Sequence, residues 1–138
     1  MQDRPTILEL LGAVRTFVTR QVVPALEGGR QFHARVAANV LAIVERELRD
    51  GDAQLRDEWM RLRALALPEE AAADDTPPAD PDVLRAAVAA LNADLAARIR
   101  AGECDRGSFR DAVLAHLRLT VSDKLRIANP AYLEEAER

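Results

Sequence analysis

Two histidines, one glutamate and the chain's only lysine are the side chains with which this sequence could do acid–base chemistry. His33 and Glu47 lie in the stretch FHARVAANVLAIVERELRDG, together with Asn39, and His116 and Lys124 lie nearer the carboxyl end. Apolar residues recur in both regions with the spacing of an amphipathic helix. The question is what these polar groups do on helices that periodicity assigns to a protein core.

Glu47 and Lys124 both project toward the predicted interior. At about 100° per residue, Glu47 falls between Val36 and Val40, in the middle of an apolar arc, and Lys124 falls among the apolar residues of a later helix. A charge that is buried without a partner is costly. We therefore expect Glu47 and Lys124 to form an ion pair between the two helices.

Three interpretations of these polar residues remain open. Long side chains near helix ends can reach solvent, and buried histidine or asparagine can bond to nearby backbone, which makes the group structural. The same residues could form a recognition surface for another protein. The third interpretation is a catalytic site with His33 or His116 as base, but the sequence has no metal-ligand spacing, no glycine-rich phosphate loop and no nucleophile motif.

The composition predicts one all-helical domain over residues 1–138. A chain of 138 residues is long enough to bury one hydrophobic core without disulfides or metals. Hydrophobic residues make up 49% of the chain and aromatic residues only 4%, so the core must be mainly aliphatic. No segment alternates with the period of a strand. The predicted fold is an all-α antiparallel bundle of about five helices.

Charge and cysteine content argue against several classes of function. The net charge is −4 and no dense basic cluster is present, which argues against nucleic acid as a partner. No apolar run approaches the roughly 20 residues of a membrane span, and the first ten residues do not resemble a signal peptide, so we expect a cytoplasmic protein with no membrane partner. Cys104 has no second thiol for a disulfide or a zinc site. We expect no metal and no cofactor.

Caps, prolines and glycines predict where the helices begin and end. Thr6 and Glu9 form a capping box for the first helix, Gly51 is expected to end the second, and Pro81 starts the fourth. The predicted helices are residues 7–24, 32–50, 53–67, 81–101 and 108–129. Residues 68–80, acidic and rich in proline, predict a flexible linker within the domain.

Each predicted helix has one apolar face, and that of the second helix is the widest. Its members cover about half of the circumference, which predicts a central position in the bundle. They are Phe32, Val36, Val40, Leu41, Ile43, Val44 and Leu48. The corresponding faces of the first, fourth and fifth helices are, in that order, Ile7, Leu11, Val14, Val18 and Val22; Leu84, Val88, Leu91, Leu95 and Ile99; and Phe109, Val113, Leu117, Val121 and Leu125.

Several stretches resemble a bacterial family that is classed as a domain of unknown function. They are RPTILELLGAVRTFV, ALEGGRQFHARVAANVLAIVERELR, LNADLAARIRAGECD and HLRLTVSDKLRIANPAYL. The most specific pieces are FHARVAANVL and DKLRIANPAY. The resemblance spans nearly the whole chain except the acidic linker.

The resemblance implies a function in a larger complex. Members of that family are typically encoded beside an aminoglycoside-phosphotransferase-like kinase and an acyl-CoA dehydrogenase-like protein. Some resemble the small subunit of a kinase that phosphorylates hydroxyacyl-CoA during hydroxy-acid breakdown. By this resemblance, the chain is expected to be a non-catalytic accessory subunit, with ATP and magnesium held by the kinase. The kinase is the first expected partner and the acyl-CoA dehydrogenase-like protein the second.

Seven polar residues are candidates for partner binding or for a polar core. They are His33, Arg35, Asn39, Glu47, Lys124, Asn129 and Tyr132. All but Glu47 lie in the two most specific stretches. Two alternatives to the accessory subunit remain open: a stand-alone small enzyme or ligand-binding bundle that uses His33, Glu47 and Lys124, and a structural homodimer whose polar residues fix the helix register.

Overall fold

The computed structural model describes residues 3–66 and 76–136, and every regular element in these ranges is helical. The predicted all-α bundle is confirmed. Its five α-helices are α1 (Ile7–Phe17), α2 (Gly28–Ala66), α3 (Pro81–Arg100), α4 (Gly107–Ala128) and α5 (Pro130–Ala136). A π-helical turn, Val18–Val22, and a 3-10 turn, Val23–Ala25, connect α1 to α2. The predicted linker falls largely on residues 67–75, which lie outside the described residues.

Helix α2 is one continuous helix of 39 residues where the sequence predicted two helices. The predicted end at Gly51 is wrong. A glycine inside a helix costs only about 1 kcal/mol relative to alanine, and packing can offset that. Gly51 lines two cavities, one with Lys124 of α4 and one with Arg85 of α3, so α3 and α4 meet α2 near this position.

The core lies between the second half of α2, α3 and α4. Its buried apolar side chains are Trp59, Leu62, Leu84, Val88, Leu95 and Val113. The three from α3 belong to the apolar face predicted for that helix. The predicted start of α3 is also confirmed, because the Asp80 carboxylate accepts hydrogen bonds from the backbone N–H groups of Asp82 and Val83 and Pro81 occupies the first turn.

Helix α3 runs in the same direction as α2. Asn92 Nδ2 donates to Glu58 Oε1 (2.9 Å), and Arg98 Nη1 donates to the carbonyl of Leu65 (3.1 Å), so later residues of α3 meet later residues of α2. The antiparallel order expected for the bundle therefore does not extend to this pair.

Helix α4 turns a different face to the core from the one predicted. Val113 is buried as expected, but the buried residues that follow it are His116 and Thr120, while Leu117 and Val121 are exposed. At this level α2 presents the charged side chains of Glu58 and Arg61, and a polar part of α4 faces them. Helix α4 also starts at Gly107, ahead of the predicted cap at Ser108.

Candidate partner-binding surface

Helix α1 and the first half of α2 form a hairpin with a polar contact at its centre. Arg15 Nε donates to both carboxylate oxygens of Glu45, at 2.9 and 3.0 Å. Glu45 is only 6% exposed, and Gly12 places the α1 backbone against the same carboxylate. No residue of α1 is buried. An ion pair thus occupies the position that apolar side chains hold in most helical hairpins.

The apolar side chains of the hairpin are exposed in two rows. The α1 stripe consists of Ile7, Leu10, Val14 and Phe17, which are between 46% and 67% exposed. The α2 stripe consists of Phe32, Val36, Val40, Val44 and Leu48, which are between 38% and 62% exposed. Rows of large apolar side chains that remain in water mark a surface for another molecule. The hairpin therefore has large apolar side chains outside, and inside it has one ion pair beside the half-buried side chains of Leu8, Leu11 and Leu41.

The α2 stripe was predicted to be core, and that prediction is wrong. Glu58, which contacts Asn92 of α3, lies about five helical turns after Val40 and so faces the same way. Helices α3 and α4 cover this face only in the second half of α2. Arg46 Nε donates to the carbonyl of Ile127 (2.6 Å), which marks the end of α4 on α2. Between Gly28 and Arg46 no described helix covers the stripe.

Three of the predicted site residues lie on this uncovered half of α2. His33, Arg35 and Asn39 are all exposed. The His33 ring stands edge-on to Phe32 with ring centroids 5.6 Å apart, and Arg35 Nη2 donates to Gln31 Oε1 (3.1 Å) within the helix. At 100° per residue, His33 lies within the arc of the α2 stripe and Asn39 at its edge, whereas Arg35 lies about 140° around the helix from Val40.

Glu47 and Lys124 line one cavity between α2 and α4, with a volume of about 200 Å³. The ion pair predicted between them is absent among the ion pairs of the described residues. Both side chains are exposed, so each keeps its charge hydrated and needs no partner. Glu47 and Lys124 therefore line the same cavity but do not form an ion pair with each other.

Asn129 and Tyr132 lie where α4 ends and α5 begins. The backbone N–H of Asn129 donates to the carbonyl of Leu125 (2.8 Å), and the Asn129 carbonyl accepts from the N–H of Tyr132 (3.1 Å). Asn129 is thus the C-terminal cap of α4, and the Tyr132 side chain is exposed. Because the Ile127 carbonyl accepts a hydrogen bond from Arg46, the junction of α4 and α5 lies beside the turn of α2 at which the uncovered half ends.

Two polar residues are buried between α2 and α4: His116, for which the sequence left burial as one of three interpretations, and Thr120, which the sequence did not single out. His116 and Thr120 are 3% and 9% exposed, and neither histidine nitrogen nor the threonine hydroxyl has a hydrogen-bond partner among the described residues. Beside them, Arg61 Nη2 donates to Asp123 Oδ2 (3.0 Å). The signal was present, because His116 and Thr120 follow Val113 by three and seven residues, which is helical spacing.

His116 makes the stability of the fold depend on pH. Burial lowers the pKa of His116 below its ordinary value of 6.5, and the charges of Arg61 and Lys124 lower it further against the opposing effect of Glu58. The unfolded chain therefore binds this proton more readily than the folded protein does. The stability that neutral His116 contributes is present above pH 6.5 and is lost as the pH falls below it.

We expect the urea midpoint of the wild type to fall between pH 7.5 and pH 5 by more than that of His116→Gln. The control is Leu119→Gln, at a 48% exposed position of the same helix, and it should retain the full dependence of the wild type. Urea unfolding of the three proteins at both pH values measures this. An equal pH dependence in the wild type and in His116→Gln would contradict the assignment to His116.

Two searches of the described residues gave no candidate site. Within residues 3–66 and 76–136, no group of three or more His, Cys, Asp or Glu side chains is placed to hold a metal ion. No helix in the same ranges combines the length and the apolar character that crossing a membrane requires.

The comparison with protein families gave one match. Residues 24–132 match a family described as a domain of unknown function, DUF6285. The matched range contains the α2 stripe and all seven predicted site residues, and it begins after α1. Neither a curated protein nor a solved structure matches the chain.

Proposed function

We propose that this chain, which belongs to the domain-of-unknown-function family DUF6285, is a non-catalytic accessory subunit that binds a larger enzyme through its α1–α2 hairpin. The observation that carries the proposal is the hairpin, because it keeps large apolar side chains on its outer side. Its ion pair, Arg15 with Glu45, is inside, and the α1 stripe is outside. A helix that keeps four large apolar residues in water gains stability when another surface covers them.

The partner we propose is an aminoglycoside-phosphotransferase-like kinase that acts on hydroxyacyl-CoA in hydroxy-acid breakdown. The support for this class of partner is the resemblance of four stretches of the sequence to a family encoded beside such kinases. An acyl-CoA dehydrogenase-like protein is the second candidate partner. In this proposal the kinase holds ATP, magnesium and the acyl-CoA, and this chain contributes binding free energy alone.

The α1 stripe is the proposed docking surface for the kinase. Its four side chains are already about half covered, so burying the remainder contributes roughly 1 kcal/mol each. Binding of this size can shift a kinase toward the conformation that fits the hairpin, provided that the other conformations bind it less well. The accessory subunit would then activate or stabilise the kinase without contributing a catalytic group.

Co-purification of the kinase with tagged variants of this chain tests the proposal. The Val14→Glu variant, which places a charge in the middle of the α1 stripe, is expected to weaken kinase binding at least tenfold. Val83→Glu is the matched control, because Val83 on α3 is 54% exposed and Val14 is 51% exposed. It should bind like the wild type, and kinase activity should rise with the wild type and Val83→Glu only.

Two results would end the proposal. One is a wild-type chain that leaves the kinase unbound and its activity unchanged. The other is a chain that turns over or binds hydroxyacyl-CoA without the kinase, which would favour the stand-alone enzyme or ligand-binding bundle. If the kinase bound Val14→Glu and Val83→Glu equally, the docking surface would have to lie elsewhere than on α1.

A further inference from the structure

We propose that a second copy of this chain covers the α2 stripe, with the two α2 helices antiparallel about a two-fold axis beside Val40. This inference goes beyond the accessory function, and it uses a different surface. Glu45, against which α1 packs, is five residues from Val40 and so lies about 140° around the helix from it. Two copies joined at Val40 would leave the α1 stripe of each free for another protein.

The extent of the uncovered face places the axis. The stripe runs from Phe32 to Leu48, eight residues on either side of Val40, and α4 reaches α2 at Arg46. Val40 lies at the middle of the stripe. A two-fold axis there sets the uncovered half of each helix against the uncovered half of the other.

The spacing of the α2 stripe fits this symmetry. Its residues recur every four positions, with two of them on either side of Val40. In the antiparallel arrangement Val40 meets its own counterpart, and Val36 meets Val44 of the partner subunit. Rows with a spacing of four residues interdigitate when helices cross at about −50°, which is the commonest class of helix packing in globular proteins.

The charges along α2 favour the antiparallel orientation. Residues 28–44 carry Arg30, His33 and Arg35 and no acid. The turns that follow carry Glu47, Arg49, Asp50 and Asp52, besides Arg46, which is bonded to Ile127. Arg49 is nine residues from Val40 and lies on the opposite side of the helix, so the charges of these turns on the side of the stripe are Glu47 and Asp50. An antiparallel pair sets the basic end of each stripe against the acidic end of the other, whereas a parallel pair would superimpose like charges.

His33 and Glu47 are the pair that the axis brings closest. Each is seven residues from Val40, about two helical turns, so both lie close to the centre of the shared face. The two-fold axis places His33 opposite Glu47 of the partner subunit, and it forms this contact twice. This gives two of the predicted site residues a common role, namely to fix the register of the two helices.

The mass of the isolated protein in solution tests whether it dimerises. Size exclusion with light scattering should give about twice the chain mass of 15.2 kDa for the wild type. The Val40→Glu variant places two carboxylates at the two-fold axis and should raise the dissociation constant about 100-fold. Met60→Glu, at an equally exposed position on the second half of α2, should dimerise like the wild type. A wild type that stays at 15.2 kDa, or a Val40→Glu variant that dimerises normally, would overturn the proposal.

Cysteine cross-linking tests the orientation. In a Cys104→Ser background under a mild oxidant, Val40→Cys should cross-link to itself. Val36→Cys and Val44→Cys should cross-link only when the two proteins are mixed. Parallel helices would cross-link Val36→Cys by itself, and that result would overturn the two-fold arrangement. Circular dichroism of each variant checks that the exposed substitutions leave the helices intact.

The dimer and the accessory function can fail separately. The mass measurement uses this chain alone, and Val14→Glu, on α1, should dimerise like the wild type. A dimer that does not bind the kinase would end the proposed function and keep the present inference. A monomer that binds the kinase would do the reverse.

Discussion

Replacing Leu84 with alanine is expected to lower the free energy of unfolding by about 3 to 5 kcal/mol. Leu84 is fully buried at 0% exposure and lies among Trp59, Leu62 and Val88. Truncation removes the transfer free energy of the lost atoms and leaves a cavity that helices on both sides cannot close. Because few apolar side chains of the described residues are fully buried, this loss is a large share of the stability that a domain of this size has.

Urea and thermal unfolding measure the effect, and the neighbouring residue provides the control. Val83 lies next to Leu84 on α3 and is 54% exposed, so Val83→Ala should cost less than about 1 kcal/mol. The two substitutions remove similar atoms from one helix and differ mainly in burial. If Leu84→Ala unfolded at the same urea concentration as Val83→Ala, the face that α3 turns to the core would have to be a different one.

Helix α3 shows how far the sequence alone could predict the fold. Its start depends on local chemistry, because an aspartate that accepts hydrogen bonds from the first turn is followed by a proline that needs no donor there. Its buried face depends on a single row of leucines and valines with helical spacing. Both signals lie within the helix itself, and both predictions were confirmed.

The α2 stripe shows where the sequence could no longer decide. Periodicity establishes that Phe32, Val36 and Val40 share a face, and they do. It does not establish which element covers that face, because this depends on how far α3 and α4 reach along α2. Gly51 illustrates the same limit, since α2 continues through a residue type that ends many helices, at a position where α3 and α4 meet it.

The sequence predicted only part of the candidate site, again because burial depends on neighbouring helices. His33, Arg35 and Asn39 were identified as polar residues of one helix, and they lie together on the uncovered half of α2. Glu45 and His116 are both buried. The sequence did not identify Glu45 as half of an ion pair, and it did not identify His116 as a buried group that titrates. A helical wheel that assigns only apolar residues to the core does not identify polar groups whose burial depends on the charges of a neighbouring helix.

Replacing Arg15 with methionine is expected to destabilise the hairpin by about 2 kcal/mol, because it leaves the Glu45 carboxylate buried without its cation. The full loss for a completely buried pair would be larger, but the Arg15 side chain is 40% exposed and water screens part of the interaction. Methionine keeps the length and the apolar stem of arginine, so the change removes the charge and the hydrogen bonds rather than the packing. Urea unfolding measures the global loss, and hydrogen exchange of the α1 amides measures whether α1 detaches first.

The double variant Arg15→Met with Glu45→Leu separates the ion pair from the packing. Removing both charges leaves no buried carboxylate, so its stability should return to within about 1 kcal/mol of the wild type. Arg85→Met, which breaks the exposed pair with Asp82, is the control and should have no measurable effect. If the double variant were as unstable as Arg15→Met alone, the hairpin would be held by the shape of its contact and not by its charges. If the stability of the double variant is restored, the ion pair is not required for stability. The ion pair then determines how α1 is oriented on α2, because the charged contact at Glu45 holds α1 with its apolar stripe turned outward, where a partner can bind it.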